Sequence, residues 1–159
     1  MIADREQYIA DSRWLRKADS GQAMVEFVLS ILLLMFLIFG IIEFIMFIAT
    51  YNALANAAKT GVRYAIVHGT GNANCSGPGA PGLTCPDAGA ANVTSAVTAY
   101  ASISLHNTSA MTITPTYPNG SSAAPARVRV VVSYPYQPFF GLGWPTVTVR
   151  AAAEGRIVN

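Results

Sequence analysis

Charge is scarce in this sequence. Asp, Glu, Lys and Arg make up 11% of its 159 residues, against roughly 25% in an ordinary soluble domain. Between Phe27 and Ile42 there is none. The formal net charge is +2, and no cluster of Lys and Arg is interleaved with aromatics, so nothing points to nucleic acid as a partner. The histidines are His68 and His106. Neither stands at a zinc-like spacing from the cysteines, and we expect neither metal nor cofactor. GxSxG, HExxH and a phosphate loop are all missing. The acids beyond residue 21 are Glu26, Glu43, Asp87 and Glu154, too scattered for an acid–base pair. We therefore expect no enzyme and no small-molecule substrate.

Cysteine is nearly absent as well. Cys75 and Cys85 lie in "NANCSGPGAPGLTCPD", a stretch of turn-forming residues with little reason to be ordered by itself. A metal site would need further ligands. A local disulfide fits an oxidising compartment and is preferred over free or metal-bound thiols. Closing so short a loop contributes roughly 2–3 kcal/mol.

Apolar residues are abundant, at 52% of the chain. From Gln22 to about Thr50 the sequence is almost entirely apolar, and about 20 such residues span a bilayer. The run is too long and too uniform for a core helix. Residues 1–20 are polar, with no apolar region of their own, so they do not read as a secretory signal. Arg13, Arg16 and Lys17 precede the run, and Lys59 and Arg63 follow it. That bias favours an N-terminus inside the cell, and the cysteine pair places the C-terminal part outside.

"TYNALANAAKTGVRYAIVHG" has no proline and is rich in alanine, so the helix continues beyond the membrane. Ala49, Ala53 and Ala57 form one row, and Leu54, Ala58, Val62 and Ala65/Ile66 another. From Gln22 to His68 such a helix is about 70 Å long. A Gly/Pro/Asn-rich loop follows over 70–90. A second helix is expected in "AANVTSAVTAYASISLHN", with Val93, Val97 and Tyr100 or Ala101 at helical spacing and Asn92 available as its cap. Three strands then alternate: "MTITPTY", an edge strand because of Pro115; "ARVRVVVSYPY", with Val128, Val130 and Val132 on one face; and "TVTVRAAAEGRI", with Val147 and Val149 together. The expected fold is α+β. A long N-terminal helix carries, on its outer half, a small domain of one helix and a three-stranded antiparallel sheet. The expected divisions are 1–21, 22–50, 51–69 and 70–159. A loop of aromatics, Tyr134 to Trp144, either caps the core or forms an exposed apolar contact.

Glu26 is the anomaly. A carboxylate at the centre of a membrane helix costs about 2.5–3.5 kcal/mol, and less near an edge. Gly21 precedes it by five residues. A basic polar leader, this glycine, this glutamate and then an apolar helix resemble the prepilin signal of type IV pilin-like proteins. "GQAMVEFVLSILLLMFLIFGIIEF", continued by "YNALANAAKTGVRYA", resembles the TadE-like family specifically, the pseudopilins or minor pilins of the tight-adherence (Tad/Flp) pilus.

The resemblance implies cleavage by a prepilin peptidase between Gly21 and Gln22. It also implies partners: other pilin subunits, an assembly platform and the cytoplasmic membrane, in a role in adhesion. The new ammonium on Gln22 would lie one helical turn from Glu26, on the same face. Glu26 would then pair with that ammonium, or with a neighbouring subunit's, and set the axial register between subunits. Glu43 and Phe44 match the family's "EF" near the outer boundary. They are candidate subunit contacts or interfacial residues. The family's basic residue shortly after that acid is absent from "EFIMFIATY". The competing reading is a single-span anchored surface module that is neither cleaved nor polymerised.

Overall fold

The structure, a computed structural model, describes residues 2–105, 107–141 and 145–158, with the backbone alone over 2–20. The chain divides into two units, Met1–Ile42 and Glu43–Asn159. Helix α1 (Ile2–Val67) begins in the first and ends in the second.

In the first unit every residue from 21 to 38 is exposed, apolar ones included: Met24, Phe27, Leu33 and Phe36 all show more than half their surface. A core helix of a soluble protein would be covered by its own chain. Here the segment Gly21–Val67 is long and apolar enough to cross a membrane, and its most apolar window is uncovered. Uncovered apolar surface on this scale marks contact with lipid or another chain.

The second unit adds α2 (Ala91–Ser104) and strands β1 (Thr112–Thr116), β2 (Arg127–Tyr136) and β3 (Val147–Arg156) to the end of α1. The sheet is antiparallel in the order β1-β2-β3. The expected α+β architecture is what the chain adopts, with Pro115 on an edge strand opposite Val130. Alternation places Val128, Val130 and Val132 fully inside, each contributing about 1.5–3 kcal/mol. The partners across β3 on that face are small: Gly155, Ala153 and Ala151. That leaves room for α1. A side chain at Gly155 would meet Ile66 Cδ1 at 2.6 Å and Val62 Cγ1 at 2.7 Å.

Both rows of α1 reach the core, as Leu54, Ala57, Ala58, Val62 and Ala65 are buried, although Ala49 is exposed. Gly61 lies on α1 where it faces α2, and a Cβ there would run into Val97 Cγ2. From α2, Val93, Val97 and Ala101 are buried, and Tyr100 stays at the surface. Of the β3 valines, Val149 is buried and Val147 is exposed at the sheet's end.

The cap of α2 differs from expectation. Asn92 lies inside the helix, and Ala90 at its start has a left-handed backbone. This turn brings Asp87 back over the helix end. Its Oδ1 accepts the N–H of Ala91 and its Oδ2 that of Asn92, both at 2.8 Å.

Candidate assembly face and a buried carboxylate

On the first unit, Gln22, Val25, Glu26, Leu29, Ser30 and Leu33 line one face of α1. The spacing of three and four residues brings them there. Gln22 and Glu26 thus share a face, as the sequence implied. Glu26 is exposed, and among the described residues its carboxylate has no ion-pair partner. Ser30 Oγ donates to the Glu26 carbonyl at 2.8 Å. Gly21 is helical and exposed, and nothing lies within 4 Å of where its Cβ would be. Glycine costs a helix about 1 kcal/mol relative to alanine, and no neighbour within the described chain requires that sacrifice.

On the second unit, Glu43 is buried. Tyr136 Oη donates to its Oε1 at 2.5 Å. The Phe139 N–H reaches both oxygens, at 3.2 and 3.1 Å. Burial, then the bond and charge of Glu43, push the Tyr136 phenol up to about 12. Phe47 packs edge-on against the Tyr136 ring at 5.4 Å. Phe44, beside Glu43, is exposed. Glu43 is therefore occupied within its own chain, by a pair of partners the sequence reading did not supply. One signal was present: Tyr136 continues the inward phase of Val128, Val130 and Val132, and a buried tyrosine needs a partner for its hydroxyl.

The aromatic loop divides. Tyr136 belongs to the core, Tyr134 is half-buried and Phe139 is 73% exposed. Leu142, Gly143 and Trp144 lie outside the described residues, as does His106. His68 follows the end of α1, stacks on Tyr64 at 4.0 Å and donates from Nδ1 to the Tyr64 carbonyl at 2.8 Å.

The cysteines are joined, Cys75 to Cys85, with Cα atoms 5.3 Å apart. Around them Ser76 Oγ donates to Asp87 Oδ2 at 2.6 Å and Tyr117 Oη to the Ser76 carbonyl at 2.9 Å. Burial works to raise the Asp87 carboxyl, but the bonds from Ser76, Asn92 and Ala91 outweigh it and hold it below its usual value. Burial, then the Asp87 charge, push Tyr117 up to about 12. Among the described residues no group of His, Cys, Asp and Glu is placed to hold a metal.

A search of curated proteins and one of solved structures each returned no match. The family resemblance drawn from "GQAMVEF" and the helix after it is borne out: residues 21–63, from Gly21 past Glu26 and Glu43, match the model of the family described as TadE-like protein.

Proposed function

We propose that this protein is a pseudopilin or minor pilin of a Tad-type pilus, a structural and not an enzymatic component. A prepilin peptidase removes residues 1–21. The helix from Gln22 then anchors the mature chain in the bacterial cytoplasmic membrane, with the leader side cytoplasmic and the second unit extracytoplasmic. A platform protein and other pilin subunits are its assembly partners, and adhesion is the purpose.

One observation carries this reading. Gly21 and Glu26 sit on an uncovered apolar helix that matches the TadE-like family over 21–63. Within the described chain, neither the glycine's small size nor the glutamate's charge serves a contact. Both make sense against outside partners. A peptidase needs close approach to an extended backbone, which a residue without a side chain permits. A carboxylate in an apolar assembly needs a cation, which the Gln22 ammonium of the same or a neighbouring subunit supplies.

Glu26→Leu tests the assembly role. The expected product is cleaved, stays in the membrane fraction and is missing from sheared pili. Normal incorporation of Glu26→Leu into pili would contradict the register role, whereas absence of the unsubstituted chain itself from sheared pili would favour an anchored module that does not polymerise.

A further inference from the structure

Phe139 combines two features. Its side chain is exposed, while its backbone N–H is fixed to a buried carboxylate on α1. Its ring stands at 90° to that of Phe140, with centroids 5.2 Å apart. The surrounding sequence carries no charge from Val130 to Val149. Phe44, Ile45, Met46 and Ile48, which follow Glu43 on α1, are exposed and apolar too.

The position of Glu43 along the chain says what covers this patch. From Gln22 to Ile42 the helix rises about 30 Å, the thickness of a hydrocarbon core. Glu43 is the next residue. A group tied to it belongs at the boundary between acyl chains and headgroups, where interfacial segments bury Trp, Phe and Leu side chains. The Phe139 N–H is held by Glu43, so its backbone can approach the acyl chains with its donor already satisfied.

We propose that the segment carrying Phe139 and Phe140 is a second membrane contact, seated in the headgroup layer of the bilayer, and that Glu43 is the positioning residue that holds it there. The inference rests on α1 being a membrane anchor, and the test separates the two.

In a full-length chain with Trp14→Phe and Trp144→Phe, a single tryptophan is introduced by Phe139→Trp or by Leu33→Trp. Each chain is reconstituted in phosphatidylethanolamine–phosphatidylglycerol vesicles with brominated acyl chains. Leu33→Trp should be quenched best by deep bromines and Phe139→Trp by shallow ones. Glu43→Ala should relieve the quenching of Phe139→Trp and leave that of Leu33→Trp alone. Glu43→Gln, which keeps an acceptor oxygen, should restore it.

Quenching at Leu33→Trp without quenching at Phe139→Trp would overturn the second contact and spare the anchor. A blue shift of Phe139→Trp that appears only at high protein-to-lipid ratio would overturn it in favour of a second copy. Absence of quenching at both positions would overturn the anchor reading, and this inference with it. Unchanged quenching of Phe139→Trp in Glu43→Ala would remove Glu43 from its positioning role.

Discussion

Asp87 shows how one side chain joins three parts of the second unit. It caps α2, receives Ser76 from the disulfide loop and faces Tyr117 beyond β1. Asp87→Ala should cost about 1 kcal/mol, as lost helix caps typically do, read from urea denaturation. The sign of its pH dependence follows from its lowered pKa. The unfolded chain binds the proton more tightly, so Asp87 contributes its stability above the usual value of 3.8 and loses it as pH falls through the folded value. Acid titration of Asp87→Ala should therefore show a shallower loss of stability below about pH 4. Tyr136 works in the opposite direction. Its phenol is raised to about 12, so its contribution is complete below pH 10 and fades as pH rises from there towards 12. Tyr136→Phe should cost about 1.5–3 kcal/mol at neutral pH, the range for a bond to a charged group, and should blunt the alkaline loss of stability.

At the scale of elements, packing is set by where side chains are missing. Gly61 lets α1 approach the short, stiff side chain of Val97. Gly61→Ala should cost about 1–3 kcal/mol by overpacking, offset by up to about 1 kcal/mol of helix propensity. Gly155→Ala should cost at least as much, because beside the flexible end of Ile66 it meets the short, stiff Val62 and gains no helix propensity in return. Thermal melts of the two variants order them. The elements themselves were readable in the sequence: Val128, Val130 and Val132 alternate, and Val93 and Val97 keep helical spacing. What periodicity could not supply was contact between distant positions. Asp87 caps from outside the helix through the left-handed turn at Ala90, so a search for a cap beside the helix settles on Asn92. The acceptor of Tyr136 lies 93 residues away. Gly61 reads locally as a defect, and its use shows only when α2 is laid against it.

Over the whole molecule, two kinds of surface meet in one chain. The second unit is a small α+β fold closed by the Cys75–Cys85 disulfide. Reduction should cost it about 2–3 kcal/mol, seen as a lower melting temperature in dithiothreitol. In the first unit the apolar side chains between residues 21 and 38 are all exposed, a surface suited to lipid or to other helices. The family signal lies over 21–63, across the exposed apolar segment and on into the part of α1 whose Leu54, Ala57, Ala58 and Val62 enter the core of the second unit. Helix α2 and the sheet lie outside it. The proposed pathway joins the two: cleavage makes the ammonium that Glu26 awaits. Intact mass of the membrane-expressed protein, with and without its prepilin peptidase, tests this most directly. Loss of residues 1–21 only when the peptidase is present is the predicted result. A chain left uncut under both conditions would mean that no ammonium forms at Gln22, and would contradict the account.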